Sequence, residues 1–227
     1  FERAGIIVIN NSDELFPAAE TLASLPPVKN ESIAILADGG GHATIAADLL
    51  TDLGIKIPIL NESTQAKLQK ILPEAASVFN PVDVAGGTDA DPSLFAECAE
   101  IILKDPNIGG LLLVGLFGGY GIRFAESLSM MEEDAAHQMG KMVKKTKKPI
   151  LVHSLYSSEK PHSLDLLRYY NIPVYDSLDV ACKCVGVLVQ YGSYLSQYHA
   201  KTNFIFNWRA KSHPEGSKII TKALSEN

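Results

Sequence analysis

Residues 110–116, with the sequence GLLLVGL, constrain the fold of this chain more than any other segment. A strand that is apolar at every position is buried on both faces, which is typical of a parallel sheet covered by helices. Shorter apolar runs with the same character predict four more strands, at residues 32–36, 55–58, 149–153 and 172–175.

Segments with helical spacing separate these strands. The predicted helices cover residues 43–53, 61–71, 94–103, 122–146 (one long or broken helix), 162–170 and 177–194. Strands that alternate with helices over short connections form right-handed βαβ units. The sequence therefore predicts an α/β fold, a flavodoxin-like doubly wound parallel sheet with strand order 2-1-3-4-5.

The composition excludes several classes of protein. The net charge of −6 leaves no broad basic surface for nucleic acid, and no apolar stretch is long enough to span a membrane. The three cysteines, Cys98, Cys182 and Cys184, form no Cys-x-x-Cys pair, so neither a disulfide framework nor a metal site is expected. We expect reduced thiols and a cytoplasmic protein.

The chain is predicted to contain more than one unit. Residues 4–15 resemble residues 170–180, since both have the pattern of a turn, a strand and a Ser-capped helix. We therefore interpret residues 1–27 as the last strand and helix of a preceding domain, although βα units resemble one another in general. Residues 28–198 would form the flavodoxin-like domain. Residues 199–227 would form a linker with one short helix, and the start without Met indicates a piece of something longer.

Glycine-rich turns follow two of the predicted strands. The turn Asp38-Gly39-Gly40-Gly41-His42 opens one helix, and residues 116–121 (LFGGYG) precede another. In a 2-1-3-4-5 sheet these turns lie on both sides of the switch point, where ligands bind. A third loop, residues 80–87 (NPVDVAGG), is also rich in glycine. Glycine permits positive φ and close approach, and free N–H groups at a helix start favour anions. We predict a phosphate or carboxylate pocket.

The same segments resemble a known family. The sequence NPVD at residues 80–83, the Gly86-Gly87 pair, DPNI at residues 105–108 and FGG at residues 117–119 are similar to the C-terminal domain of the succinyl-CoA synthetase β subunit. They are more similar to the equivalent domain of ADP-forming acetyl-CoA synthetases. The resemblance covers the whole chain, and its motifs are specific only in combination.

The resemblance implies an ADP-forming acyl-CoA synthetase. In such enzymes ATP phosphorylates a histidine, the phosphate passes to a carboxylic acid, and CoA displaces it as a thioester. The family's histidine lies in a Ser-His-Thr-Gly segment, which is expected upstream of this chain. ATP with Mg and CoA would be handled by an ATP-grasp domain and a CoA-binding domain outside the chain, leaving no tightly bound cofactor here. The other implied partners are acyl phosphate or the acid, other domains or subunits, and a second copy in a homo-oligomer.

The resemblance also implies which residues bind the phosphate or acyl group. Backbone amides at the start of the helix after Gly39 to Gly41, together with the second turn, would form the anion site, in which a phosphate or sulfate ion is expected. The predicted binding residues are Gly39, Gly40, Gly41, His42, Gly118, Gly119 and Tyr120, supported by Asp83, Gly86 and Arg123.

Several polar residues keep two interpretations. His42 either donates to a phosphate or caps the helix, and Asp38 is better explained as an N-cap or hinge. Asp83 is expected to hydrogen-bond amides of its own loop. Arg123 is either an anion clamp or part of a surface salt bridge, and for His153 packing is the default.

For the remaining candidates the structural interpretation is favoured. Tyr156 is expected to pack or to act as a lid. Glu132, Glu133 and Asp134 are expected to form a solvated helix face, and the Met130-Met131 pair to belong to the core.

Two other functions remain open. A non-catalytic CoA-ligase-like regulatory or acyl-CoA-binding module would share the fold but lack the upstream histidine. A flavodoxin would need a Ser/Thr-rich phosphate loop and flanking aromatic residues, which residues 39–42 do not supply.

Overall fold

The computed structural model describes residue 1 and residues 4–209 and 214–225, with side chains except those of residues 199–214, 217 and 220. Its strands are β1 (Ile33–Ala37), β2 (Val82–Asp83), β3 (Gly110–Gly115), β4 (Ile150–Ser154) and β5 (Val174–Tyr175). Its helices are α1 (Ser12–Ser24), α2 (Gly40–Asp52), α3 (Glu62–Ile71), α4 (Leu94–Leu103), α5 (Tyr120–Arg123), α6 (Leu128–Thr146), α7 (His162–Tyr169), α8 (Leu178–Arg209) and α9 (Pro214–Ser225).

The five strands form one parallel sheet in the order β2-β1-β3-β4-β5, which confirms the predicted fold class. Every residue of β3 is buried, as its uninterrupted apolar sequence predicts. Because β3 pairs with both β1 and β4, the turns that follow these three strands meet at one edge of the sheet. We call this the carboxyl edge.

The second strand of the sheet is not where the sequence analysis placed it. Residues 55–58 contribute only an isolated bridge between Lys56 and Ser32, and β2 lies instead within the loop of residues 80–87. The side chain of Asn80 explains why the loop of residues 80–87, and not residues 55–58, lies along β1. Its Oδ1 accepts from the N–H of Ile35 at 2.9 Å, and its Nδ2 donates to the carbonyls of Ile33 and Pro58 at 3.0 and 2.9 Å. The Asn80 amide thus bonds to β1 as a strand backbone would.

At the opposite edge, a buried carboxylate organises the segment before β3. Asp105 accepts hydrogen bonds from the backbone and side-chain nitrogens of Asn61 at 2.8 and 2.9 Å. It also accepts from Thr64 Oγ1 at 2.8 Å and from the N–H of Asn107 at 3.0 Å. The DPNI motif is therefore structural and lies away from the carboxyl edge.

The two ends of the chain depart from the predicted pattern. α8 continues to Arg209, beyond the predicted end at residue 194, and α9 is a helix of 12 residues. Near the start, α1 packs on α8, and Thr21 shares a hydrogen bond of 2.7 Å with the hydroxyl of Tyr175 in β5. Residues 4–11 form no strand. The division into residues 1–27, 28–198 and 199–227 stays a prediction.

Two expectations from composition can be compared with the structure. Cys98, Cys182 and Cys184 are free and buried, and burial raises the pKa of Cys98 and of Cys182 to about 12. No helix in the described part of the chain is long and apolar enough to cross a membrane.

Candidate anion-binding site

The first glycine turn presents an uncapped helix start at the carboxyl edge. Gly39 is the N-cap of α2, has extended backbone (φ −167°, ψ 143°), and offers no side-chain hydrogen bond to the helix. The first N–H groups of a helix have no acceptor within the helix, and the helix dipole adds partial positive charge there. Gly40 and Gly41 are exposed. The start of α2 is therefore an open cluster of hydrogen-bond donors.

Neither backbone φ nor crowding by other residues requires glycine at residues 39 and 41. The prediction that the glycines of this turn supply positive φ is wrong, because none of the three lies in the left-handed region. A Cβ built on Gly39 or Gly41 would meet no heavy atom within 4 Å, and one on Gly40 would meet only Asp83 Oδ2 at 3.3 Å. The space beside this backbone is open to a molecule from outside.

The second glycine turn is closed by a carboxylate of the same chain. Glu132 Oε1 accepts from the N–H groups of Gly118 and Tyr120 at 2.6 and 3.2 Å, and Oε2 accepts from Gly121 at 3.3 Å. The N–H of Gly119 donates to the carbonyl of Leu116 at 2.7 Å. The amides of Gly118 and Gly119 are therefore paired within the chain, and their binding of an external anion stays a prediction.

Glu132 was also expected on a solvated helix face, and this is wrong. Its exposed fraction is 1%, and burial raises its pKa while the three amide hydrogen bonds oppose that rise. The helical period contains a signal for this position. Glu132 lies four residues after Leu128 and three before Ala135, both on the buried face of α6. An acid on an apolar face indicates a buried partner.

Packing within the chain explains the other residues of the second turn. Gly118 has φ +93°, and a Cβ there would lie 2.6 Å from Leu164 Cγ. A Cβ on Gly119 would overlap the ring of Tyr156. Tyr120 is fully buried, and its hydroxyl shares a hydrogen bond of 2.7 Å with Thr88 Oγ1. The side chain of Tyr120 belongs to the core, and its predicted part in binding stays a prediction.

Asp38 connects the two turns. Its Oδ2 accepts from the N–H of Leu116 at 2.8 Å, whereas its Oδ1 is buried without a hydrogen-bond partner. Gly115, at the end of β3, has φ +121°, and a side chain there would overlap Asp38. The N-cap of α2 is Gly39, so Asp38 is not the cap. Burial raises the pKa of Asp38.

Two histidines meet beside the start of α2. The Nδ1 of His42, in the first turn, lies 4.0 Å from Asp38 Oδ1, and the His42 side chain is 35% exposed. The ring of His153, near the end of β4, lies 6.1 Å from that of His42. His153 is only 3% exposed, and its Nδ1 has no hydrogen-bond partner. Burial, and then the charge of His42, lower the pKa of His153.

The contacts of the predicted supporting residues Asp83, Gly86 and Arg123 are local. Asp83 Oδ1 accepts from the N–H of Ala85 at 2.9 Å, the expected contact within its own loop. Gly86 has φ +77°, a conformation that favours glycine. Arg123 is exposed and lies over the ring of Phe124 at 5.5 Å, and no ion pair of Arg123 is found among the described residues.

Two further points concern the methionine pair of α6 and possible metal ligands. Met130 and Met131 are 76% and 40% exposed, so the prediction that they belong to the core is wrong. Among the residues whose side chains the structure describes, no group of three or more His, Cys, Asp or Glu residues is arranged to hold a metal ion.

Comparison with known proteins identifies the family. Residues 33–191, which include the whole sheet and both glycine turns, match the family model described as the Ligase-CoA domain. The chain belongs to the Ligase-CoA domain family. This agrees with the resemblance seen in the motifs of residues 80–83, 105–108 and 117–119.

Curated relatives of this Ligase-CoA domain are ADP-forming ligases. The alpha subunit of ADP-forming acetate–CoA ligase II from Pyrococcus furiosus is 28% identical over 194 residues, which cover 84% of this chain and 40% of the relative. The ADP-forming 4-hydroxybutyrate–CoA ligase of Nitrosopumilus maritimus is 25% identical over 207 residues, which cover 91% of this chain and 28% of that enzyme. The chain thus spans less than half the length of either relative.

Solved structures share the fold of the domain. The PH0766 protein of Pyrococcus horikoshii superposes with a TM-score of 0.71 at 28% identity, over 86% of this chain and 43% of that one. A dinucleotide-forming acetyl-coenzyme A synthetase 1 of Ca. Korarchaeum cryptofilum, in complex with phosphate and ADP, gives a TM-score of 0.71 at 21% identity, over 87% and 41% of the two chains. The second likeness concerns the fold alone.

Proposed function

We propose that this Ligase-CoA domain is part of an ADP-forming acyl-CoA synthetase and that the start of α2 binds the phosphoryl group during the reaction. The overall reaction would convert an acid, CoA and ATP into acyl-CoA, ADP and phosphate. Membership of the family supports this proposal, as do the names of the curated relatives, which are ADP-forming acetate–CoA and 4-hydroxybutyrate–CoA ligases.

The bare backbone at Gly39 and Gly41 carries the proposal. Glycine within the first turn of a helix is less favourable than most residues, and at Gly41 neither φ nor packing within the chain requires it. At Gly39, the N-cap, glycine is tolerated, but it supplies no side-chain acceptor to the helix. A reason outside the described residues is therefore needed, and close approach of a ligand provides one. The N–H groups of the first turn then act as preorganised donors to the phosphoryl oxygens.

The proposed role is electrostatic, without a nucleophile from this domain. The Ser-His-Thr-Gly segment of the resemblance does not occur in the 227 residues, so the phosphorylated histidine would come from elsewhere in the synthetase. Other domains or subunits would bind ATP with Mg and CoA. The exposed tip formed by Gly40 and Gly41 would meet those partners in the cytoplasm, within a homo-oligomer.

The test is an assay of the full-length gene product against a panel of carboxylic acids, with ADP formation as the readout. We expect ADP and acyl-CoA to form with at least one acid, and Gly41→Val to reduce the rate. Gly186→Ala is the control, since Gly186 lies in α8 and a Cβ there has ordinary contacts at 3.6 Å or more. The 227 residues alone should form no thioester.

Two outcomes would contradict the proposal. The first is thioester formation by the 227 residues alone. The second is the absence of ADP formation with every acid while CoA or acyl-CoA still binds, which would favour a non-catalytic module instead.

A further inference from the structure

The buried imidazole of His153 hydrogen-bonds to the backbone of Asp176 but leaves one of its ring nitrogens without a partner. Its exposed fraction is 3%, and its Nδ1 lacks a hydrogen-bond partner. Buried polar atoms without partners are rare and costly, and they often mark a site where a ligand or a water supplies the missing contact. The ring of His153 lies 6.1 Å from that of His42, in the first turn of α2. A ring nitrogen without a partner and an uncapped helix start thus lie side by side.

Each element packed around His153 presents its own titratable groups. α2 contributes His42, and the segment after β5 contributes Asp176. The turn after β1 contributes Asp38, whose Oδ1 lies 4.0 Å from His42 Nδ1. On the β5 side, the hydroxyl of Tyr175 is already bonded to Thr21.

The titratable groups that the first turns of α8 bury add no charge near neutral pH, whereas Asp179 and Lys183 in these turns are exposed. α8 packs on β4 and carries the buried thiols of Cys182 and Cys184. Burial raises the pKa of both thiols, so both stay protonated. β3, on the other side of β4, places Val114 opposite His153.

We propose that His153 and His42 form the side-chain part of the anion site at the start of α2, and that His153 takes up a proton when a phosphoryl or sulfate dianion binds there. The inference rests on the proposed function, because it places the ligand at the same helix start. It adds a residue from β4 that the motifs did not indicate, and it makes binding dependent on pH.

The direction of this dependence follows from the surroundings of His153. In this structure, burial and then the charge of His42 hold the pKa of His153 below its ordinary value of 6.5, so the ring is neutral near pH 7. A dianion beside the ring favours the imidazolium and raises that pKa. Between the two pKa values, binding is accompanied by proton uptake, and affinity falls as pH rises.

The experiment is calorimetric titration of the 227-residue chain with sulfate, a dianion that does not itself titrate near neutral pH. Titrations in buffers of different ionisation enthalpy give the number of protons bound per sulfate. We expect uptake approaching about one proton, and an association constant that falls by up to about tenfold per pH unit within the window, the limit for a single proton. Phosphate is then used for comparison at one pH.

His153→Gln and His153→Phe are the variants, the first polar and the second apolar with a similar ring. Both should still bind sulfate through the α2 amides, more weakly and with less proton uptake than the parent. Thermal unfolding of each variant checks that it is folded, and the control is His162→Gln, which alters an exposed histidine in α7.

Each outcome decides between the two proposals. Proton uptake that is reduced in both His153 variants but not in the control supports the inference. Sulfate binding without proton uptake, or uptake unchanged in both variants, overturns the inference and leaves the α2 site standing. Absence of sulfate and phosphate binding by the folded chain overturns the inference and the assignment of the anion site together.

Discussion

Asp38 Oδ2 accepts a hydrogen bond of 2.8 Å from the N–H of Leu116, 78 residues later in the chain. This contact fixes the turn after β1 against the turn after β3. One of these turns is open and the other is closed by Glu132. A pair of glycine turns that appears symmetric in the sequence is therefore asymmetric in the structure. The start of α2, where we propose that the anion binds, is uncapped, whereas residues 117–121 are bonded to a carboxylate of the same chain.

Asp38→Ala should destabilise the domain. The substitution leaves the N–H of Leu116 without its acceptor, a loss worth about 1–3 kcal/mol for a buried group. The free energy of unfolding from urea denaturation measures this. Asp48→Ala, at an exposed position of α2, is the matched control and should stay within about 0.5 kcal/mol of the parent. Equal stability of the two variants would show that the Asp38 contact does not hold the turns together.

Glu132→Gln should change how stability depends on pH. Burial raises the pKa of Glu132 above its ordinary value of 4.5. Between the pKa of the unfolded state and that of the folded state, the folded state therefore binds more protons than the unfolded state. The stabilisation is present below pH 4.5 and is lost as pH rises through the folded pKa. Urea denaturation across this range should show a smaller loss with rising pH in the Gln variant than in the parent.

The matched control is Glu97→Gln, at an exposed position of α4. It should keep the parent's pH dependence. Some slope should persist in Glu132→Gln, because the pKa of Asp38 is raised as well. A Gln variant with the full slope of the parent would contradict the account of Glu132.

Asp105→Ala should separate stability from binding. Four donors lose their acceptor, so we expect a loss of about 3 kcal/mol or more in unfolding free energy. Sulfate affinity of the folded variant should be unchanged, because Asp105 lies at the edge of the sheet opposite the start of α2. Asp52→Ala, exposed near the end of α2, is the control for stability. Weaker sulfate binding by folded Asp105→Ala would mean that the DPNI motif belongs to the site.

Gly41→Val should do the opposite of Asp105→Ala. Since no heavy atom lies within 4 Å of a Cβ at this position, the unfolding free energy should change by less than about 1 kcal/mol. The added side chain nevertheless stands where the ligand approaches, so sulfate affinity should fall several-fold. Calorimetry with Gly186→Ala as control checks this. Unchanged affinity would remove the reason given for glycine at residue 41.

The sequence was sufficient for the architecture because local patterns determine it. The apolar run of β3 and the helical spacing around it predicted the parallel sheet and its order. The second strand was misplaced because the segment that contains β2 is bonded to β1 partly through a side chain, that of Asn80, and not only through its backbone. A hydrogen bond from Asn80 to the backbone of Ile35 leaves no periodic trace in the sequence.

The candidate site was predicted only in part, since it depends on contacts between distant segments. The place of His42 at the site could be predicted because it belongs to the glycine turn itself. Glu132 reaches Gly118 across 14 residues, and His153 meets His42 through the pairing of strands. Glycine clusters indicate accessible amides, but they do not show whether a carboxylate of the same chain already occupies them.

The most direct test of the central claim is an amide proton–nitrogen correlation spectrum of the 227-residue chain, recorded during titration with phosphate. We predict that the amide signals of Gly40, Gly41 and His42 shift in proportion to bound phosphate. Those of Gly118 and Gly121 should stay in place, because Glu132 holds them. Shifts at Gly118 and Gly121 without shifts at Gly40 and Gly41 would contradict the account.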